Sequence, residues 1–404
     1  MRYFINSLIV LFPMQYFALE IGTTKFDLFN ILFLFFFPFA AFNFRFKKNN
    51  LLVFGCYIFL CGVLLLNSSA QYPVYRFLSS FLWLTLALFV FLNSYEFYYP
   101  KLFSLINTLG LILLFGIMLQ KLFFLDARPK LFFSEPSLAG LIMYGYSFVF
   151  FYLVFVNKFV KINLIKGVVF LCGGLLTESA HLITFLILIV LVFSIKFKFR
   201  YFIMLVFLGI FTFNFIPESL LNKFNLGENI DDYSLSQLSW LQGYNQAISS
   251  VKLNPFIGQG FGSTGYNSFF SEYEEVLQKS DLADLNRYDG YSLFFRWVIE
   301  LGFLVTIVIV LYFILKLING LRHNKEGESD RFVIFLFGFF IFFGSLVKEP
   351  NYGFSTFLLS FYLMGMFINT KGAVNNAMRS QQFSAKGYQD PPVASPCVVP
   401  RKLT

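Results

Sequence analysis

The sequence predicts an all-α, polytopic integral membrane protein with about twelve transmembrane helices and one large loop on the non-cytoplasmic side. Of the 404 residues, 57% are hydrophobic and only 13% are charged, whereas about a quarter of the residues in a soluble domain are charged. Phenylalanine contributes 62 residues, and this side chain transfers favourably from water into hydrocarbon. We therefore expect the phenylalanines to form lipid-facing bulk.

Twelve apolar runs approach the roughly 20 residues that a helix needs to cross a bilayer. They cover approximately 3–19, 26–44, 51–66, 77–92, 102–119, 138–156, 164–176, 182–195, 201–216, 291–317, 332–347 and 354–368. The first run follows Arg2 and has no small-residue cleavage site after it, so we interpret it as a retained span. The chain thus divides into helices one to nine (1–216), the large loop (217–290), helices ten to twelve (291–370) and a polar tail (371–404), for which composition predicts disorder.

The distribution of basic residues predicts the orientation. If the amino terminus is cytoplasmic, the cytoplasmic segments and the tail hold 20 of the 31 basic residues, as the positive-inside rule requires. Both termini are then cytoplasmic and the large loop is outside. The net charge of +9 reflects this topology and contact with anionic membrane lipids. No nucleic-acid module, zinc spacing or disulfide framework is visible, and we expect neither a metal nor a cofactor.

The large loop is acidic, with four basic and ten acidic residues. Apolar residues recur in it every three or four positions, which is typical of an amphipathic helix; they are Leu235, Leu238, Leu241, Tyr244, Ile248 and Val251. Asp232 or Ser234 would cap this helix, and Asn254-Pro255 would end it. The helix would lie on the membrane, cover the spans as a lid, or simply pack against them. The glycines that follow, at 254–265, predict a loop with close backbone approach.

Polar residues of the predicted spans gather at the outer boundary. Arg76, Arg128, Glu135, His181 and Lys348 all fall there. Guanidinium groups at this depth suit an anionic lipid headgroup such as a diphosphate, although arginines also anchor helix ends by snorkelling. His181 would either titrate near neutrality or fill a structural position at a helix start.

One further pair of charged residues lies inside the tenth predicted span. Arg296 and Glu300 are four residues apart, which places them on one helical face and close enough to pair.

Four segments resemble the O-antigen polymerases (the Wzy family). Residues 133–140, Phe-Ser-Glu-Pro-Ser-Leu-Ala-Gly, resemble the Glu-Pro-Ser signature of that family, and 176–179, Leu-Thr-Glu-Ser, resemble its Thr-x-Ser turn. Residues 254–262, Asn-Pro-Phe-Ile-Gly-Gln-Gly-Phe-Gly, are similar to the segment late in its periplasmic loop, and 300–302, Glu-Leu-Gly, to the motif that follows. The chain departs from the family at Ala180-His181, where an arginine is common.

The resemblance implies a glycosyltransferase that polymerises undecaprenyl-diphosphate-linked oligosaccharide repeat units at the periplasmic face of the bacterial inner membrane. Arg128, with Arg287 or Arg296, would neutralise the leaving diphosphate in place of a metal. Glu135 or Asp289 would take the acceptor proton, while Glu135 would equally suit a helix start. Arg76, Ser137, His181 and Lys348 would contact substrate. The sequence does not decide whether a chain-length regulator protein is a partner.

Two other functions remain compatible with these residues. A related O-antigen ligase would transfer finished glycan to a lipid A core, and ligases typically carry a histidine where this chain has Asp289-Gly290. A transporter of lipid-linked oligosaccharide would move the substrate without making a bond.

Overall fold

A computed structural model gives the fold of the chain. It describes residues 13, 18–21, 24–27, 31–32, 34, 48–67, 74–94, 101–124, 128–133, 135–156, 161–196, 230, 233–266, 271–279, 282, 287–323, 330–348 and 355–368.

Twelve helices and one strand pair make up the described part of the chain. Strands β1 (Ala18–Ile21) and β2 (Thr24–Asp27) pair antiparallel. The helices before the loop are α1 (Lys48–Asn67), α2 (Val74–Asn93), α3 (Leu102–Phe123), α4 (Pro136–Val156), α5 (Lys161–Leu176) and α6 (His181–Lys196). The later helices are α7 (Leu235–Leu253), α8 (Glu272–Lys279), α9 (Leu293–Glu300), α10 (Phe303–His323), α11 (Asp330–Lys348) and α12 (Ser355–Ile368). A 3₁₀ turn, Arg287–Asp289, precedes α9.

The described helices confirm a helical membrane protein. Five of them, α2, α3, α4, α10 and α11, are long and apolar enough to cross a bilayer, and α1, α6 and α12 contain shorter apolar stretches. Helices α1–α6, α11 and α12 coincide with predicted spans to within a few residues. The spans predicted at 3–19, 26–44 and 201–216 lie largely or wholly outside the described residues, and so does the tail at 371–404.

The junction of the first two predicted spans is a strand pair, so the ends predicted there were wrong. Both Leu19 and Phe26 belong to strands, and they lie opposite each other in the pair. The segment between them carries Glu20 and Lys25, and charged side chains are costly in the hydrocarbon region.

The start of the tenth predicted span was wrong, because the structure breaks the run into two helices and only the second, α10, has the length of a span. Helix α9 ends at Glu300 and α10 begins at Phe303. Gly302 between them has φ +96°, a left-handed backbone conformation that glycine adopts without steric cost. Helix α9 is therefore a separate, largely buried helix of eight residues at one end of the bundle.

Contacts between helix ends show that successive helices alternate in direction. Gly140, near the start of α4, lies against Ser179 in the α5–α6 turn. Trp297 of α9 contacts Phe342, near the end of α11, and Phe357, near the start of α12. We call this the loop end of the bundle.

At the opposite end of the bundle, the starts of α1 and α11 meet the ends of α2 and α12. The side chain of Asn50, at the start of α1, donates to the Leu92 carbonyl at the end of α2 over 3.1 Å. Phe332, near the start of α11, packs against Phe367, near the end of α12. The helices therefore cross the bundle in alternation, as consecutive spans do.

Helix α4 forms the centre of the bundle. In its most apolar window 89% of the residues are buried, against 28% in α10. Its Tyr146 hydroxyl donates to the Ile106 carbonyl over 2.6 Å, and its ring packs on Phe170 and Phe337. The expectation that the phenylalanines are lipid-facing bulk was too simple, because those of α11 lie mainly in the core; the buried ones are Phe332, Phe335, Phe337, Phe339, Phe340 and Phe342.

The amphipathic helix predicted in the large loop is α7. The Ser234 hydroxyl accepts from the Gln237 backbone N–H, and the Gln237 side chain accepts from the Ser234 N–H over 2.6 Å, a reciprocal cap that fixes the helix start. Ser234, not Asp232, is therefore the cap, and Asn254 ends the helix as predicted. Apart from Leu238, however, its buried face is polar or small: Ser239, Gln242, Gly243, Gln246, Ala247 and Ser250.

Candidate functional site

The Glu-Pro-Ser and Thr-x-Ser segments are in contact at the loop end. The Ser179 hydroxyl donates to the Ser137 carbonyl over 3.2 Å. A side chain at Gly140 would collide with Ser179 and approach the Thr177 hydroxyl to 2.5 Å. The α5–α6 turn therefore packs directly on the first turn of α4, and Gly140 permits that approach.

Arg128 is held over the same α5–α6 turn. Its Nε donates to the Thr177 carbonyl over 3.2 Å and its Nη2 to the Glu178 carbonyl over 3.0 Å. The Glu178 carboxylate lies 3.9 Å from Arg128 Nε and 3.8 Å from Lys121 Nζ. A guanidinium has five N–H donors, and the Arg128 side chain is 35% exposed. It is thus oriented by the turn and open to an anion from solvent. We call Lys121, Arg128 and Glu178, together with Glu135 and Ser137 at the start of α4, the Arg128 cluster.

Glu135 stands exposed immediately before α4. Its Oε2 accepts from the Ser137 hydroxyl over 3.0 Å, and its backbone carbonyl accepts from the Leu138 N–H over 3.2 Å. Pro136 is the first helical residue, the position where proline's missing N–H costs nothing. The carboxylate therefore lies at the positive end of the α4 dipole and is also reachable as a base.

Replacing Glu135 with glutamine separates these two roles. The amide keeps an acceptor for Ser137 and loses only the favourable charge at the helix start, so we expect the free energy of unfolding to fall by no more than about 1 kcal/mol. A general base contributes roughly 10²–10⁴-fold to a rate, and glutamine cannot act as one. Thermal unfolding in detergent checks the change in stability, and the rate of any reaction that the site catalyses checks the role as a base. A rate that survives the substitution would leave Glu135 as a helix-start residue only.

His181 lies inside the bundle. It is 1% exposed as the first residue of α6 and faces Gly344 of α11. Lys348 ends α11 one turn beyond Gly344 and is partly exposed. Lys348 is thus accessible to a headgroup, whereas a substrate would reach His181 only after the helices move apart.

Arg296 and Glu300 pair as their spacing predicts. Arg296 Nε lies 3.0 Å from Glu300 Oε1, and its Nη2 donates to the Ser80 hydroxyl of α2 over 3.1 Å. The Thr264 hydroxyl donates to Glu300 Oε1 over 3.3 Å. The side chains of the ion pair are 8% and 0% exposed. We call Ser80, Thr264, Arg296 and Glu300 the Arg296 cluster; in it the Arg296 charge is already neutralised within the protein.

The glycine segment 254–265 is the loop with close backbone approach that the sequence predicts. Its Gln259 N–H donates to the Ile299 carbonyl over 2.8 Å and its Gly260 N–H to the Glu300 carbonyl over 3.2 Å. A side chain at Gly258 would collide with the Glu300 carbonyl and lie 2.5 Å from the Gly302 nitrogen. The segment is therefore docked on the break between α9 and α10.

Arg76 and Arg287 both lie near the Tyr288 ring. The Arg76 guanidinium sits 4.4 Å from the centre of the Tyr288 ring, and its Nη1 donates to the Tyr288 carbonyl over 3.3 Å. Arg287 Nη1 lies 3.3 Å from Glu274 Oε1, and its Nε donates to the Gly265 carbonyl over 3.1 Å. The charge of Arg287 is thus offset by a largely buried carboxylate. Asp289 ends the same 3₁₀ turn, and its side chain lies outside the part that the structure describes.

Sequence reasoning did not assign five residues that contact these arginines or their carboxylates: Lys121, Glu178, Ser80, Thr264 and Glu274. Glu178 is the middle residue of the Thr-x-Ser turn, so the motif could have indicated that it belongs to the site beside Arg128. Ser80, Thr264 and Glu274 carried no comparable signal, because they join the site through contacts between distant parts of the chain.

Comparisons of the chain with models of protein families, with curated proteins and with solved structures gave no match.

Proposed function

We propose that the protein is a repeat-unit polymerase that joins lipid-diphosphate-linked oligosaccharides, as O-antigen polymerases do. One observation carries this proposal: the four segments that resemble that family are brought together in pairs. The Glu-Pro-Ser segment meets the Thr-x-Ser turn through Ser137 and Ser179, and the glycine segment docks on Glu-Leu-Gly through Gly258 and Glu300. Segments that act together in a site are expected to converge in this way.

The proposal includes the full topology of twelve spans with both termini in the cytoplasm of a bacterial cell and the loop in the periplasm. Contacts that alternate between the two bundle ends support consecutive spanning. Basic residues at the end opposite the loop support its cytoplasmic placement; the described ones are Lys101, Lys161, Lys166, Lys316, Arg322 and Arg331. Undecaprenyl carriers, whose chains stay in the hydrocarbon of the bilayer, would reach the loop end laterally.

In the proposed reaction an acceptor hydroxyl oxygen attacks the anomeric carbon of the growing chain. The bond from that carbon to the lipid diphosphate breaks, and the diphosphate leaves with the electron pair. Glu135 takes the hydroxyl proton, and Arg128 stabilises the charge that develops on the diphosphate. Arg128 suits this part better than Arg296 or Arg287, since its carboxylate partner is more distant, at 3.9 Å against 3.0 and 3.3 Å, and its side chain is the most exposed of the three. Arg76 and Lys348 remain candidates for headgroup contacts.

The test is to incubate the purified protein with its host's lipid-linked repeat unit alone and to follow the products by mass spectrometry. We expect oligomers at whole repeat-unit masses that remain on lipid diphosphate. Arg128→Ala should lower their formation by about 10²–10³-fold, the effect of removing one preorganised donor.

A matched control is Lys279→Ala, which removes an exposed cation of the loop whose side chain is 68% accessible. It should leave polymer formation unchanged. Failure to form oligomers in a preparation that binds the substrate would favour the ligase, tested next with a lipid A acceptor. Movement of the substrate across a bilayer at unchanged mass would favour the transporter.

A further inference from the structure

Helix α7 turns several large apolar side chains outward, although Leu238 is buried. Its buried face carries Ser239, Gln242 and Gln246, while Trp240 and Tyr244 are 43% and 44% exposed. In a loop helix surrounded by water, the apolar side chains would face the protein and the polar side chains would face outward. Its exterior therefore matches an apolar medium better than it matches water.

This apolar exterior continues beyond the end of α7. We define the outer surface as apolar residues of α7 and of the turn that follows it that are exposed or partly exposed: Trp240, Leu241, Tyr244, Ile248, Leu253, Phe256 and Ile257. Phe256 is 67% exposed, although large aromatic side chains in water are normally covered. A contiguous surface of this kind marks an interaction site.

The outer surface borders a helix that faces lipid. The Phe256 carbonyl lies against Gly302, directly before α10. The first two residues of α10, Phe303 and Leu304, are themselves exposed, as is Val308 one turn further on. Helix α10 is long and apolar enough to cross a bilayer, so its exposed apolar side chains meet lipid. The apolar surface thus continues from α10 to Phe256 in the 253–257 turn.

The composition of the outer surface suits the boundary between headgroups and acyl chains. Tryptophan and tyrosine are enriched at that depth, and Trp240 and Tyr244 lie side by side with rings 3° from parallel. Lys252, exposed beside Leu253, can extend its ammonium to the headgroups while its methylenes stay among apolar groups.

From this geometry we infer that the outer surface of α7 and the 253–257 turn is embedded in the interface of the lipid leaflet that borders the large loop. Helices held at such an interface bury their apolar face about 5–10 Å into the headgroup and acyl boundary. The loop is then fixed to the bilayer on one side and to α9 on the other, through Phe295, whose ring contacts Trp240 at 5.0 Å.

Tryptophan fluorescence in proteoliposomes tests this placement without any substrate. The chain has three tryptophans, and Trp83 and Trp297 are each only 1% exposed. The difference between the wild-type protein and Trp240→Phe therefore reports on Trp240. Vesicles of phosphatidylcholine brominated near the headgroup should strongly quench the Trp240 fluorescence obtained from this difference. Vesicles brominated at the chain ends, and aqueous iodide, should quench it weakly.

The other outcomes would overturn the inference. Strong quenching by iodide with none by brominated lipid would place the outer surface in water. Protection from both would mean that protein covers it.

A pair of variants tests the continuity of the outer surface. Phe256→Asp should shift Trp240 from lipid quenching toward iodide quenching. Ser236→Asp, an exposed position on α7 outside the outer surface, should not. Identical behaviour of the two variants would contradict a single embedded surface. None of these measurements depends on glycosyl transfer. The membrane placement of α7 can therefore be disproved while the proposed function stands, and the proposed function can be disproved while the membrane placement stands.

Discussion

Glu300→Ala is expected to lower the free energy of unfolding by about 3–5 kcal/mol, because it leaves the Arg296 guanidinium buried without its carboxylate. The two groups are 3.0 Å apart at 8% and 0% exposure, so water cannot replace the lost partner. Ser80 and Thr264 also lose their shared anchor at Glu300 Oε1. Reversible unfolding in mixed detergent micelles, followed by circular dichroism, measures the change.

The loop offers a matched control for this prediction. Glu275 and Lys279 form an ion pair with the same four-residue spacing, but their side chains are 52% and 68% exposed. Glu275→Ala should change the free energy of unfolding by less than about 1 kcal/mol, since water screens exposed pairs. Equal losses in the two variants would contradict the burial of the Arg296 cluster. Glu300→Gln, which keeps an acceptor for Thr264, should lose less than Glu300→Ala.

Most helices could be predicted because short, continuous stretches of the sequence determine them. Apolar runs of spanning length identified α1–α6, α11 and α12, and a cap with a three-to-four-residue period identified α7. The four-residue spacing of Arg296 and Glu300 likewise predicted their ion pair. In each case the residues that determine the feature lie close together in the sequence.

The break between α9 and α10 could not be read from apolarity alone. Apolar residues continue on both sides of Gly302, and only the docked glycine segment shows why the helix stops there. Periodicity likewise groups the residues of α7 that share a face, but it does not tell which medium that face meets. The contact of Arg296 with Ser80 could not be predicted from local spacing either, because Ser80 lies 216 residues away in the sequence.

Gly258→Ala is expected to destabilise the protein by about 3 kcal/mol and to abolish polymer formation. A methyl group at residue 258 would overlap the Glu300 carbonyl and stand 2.5 Å from the Gly302 nitrogen. Both obstacles are backbone atoms, which cannot rotate away as a side chain can, and overpacking of this kind costs about 1–3 kcal/mol or more. The glycine segment would have to lift off the α9–α10 break, and Thr264 would lose its hydrogen bond to Glu300.

Gly55→Ala is the matched control for Gly258→Ala, because an added methyl group in the middle of α1 meets nothing within 4 Å. Alanine is favoured over glycine in a helix by about 1 kcal/mol, so this variant should be neutral or slightly stabilised. If Gly258→Ala unfolds like the wild type, the glycine segment is not docked as described. If it is destabilised yet still forms polymer at the wild-type rate, the docking is structural. The reaction proposed at the Arg128 cluster would then not require the docked glycine segment.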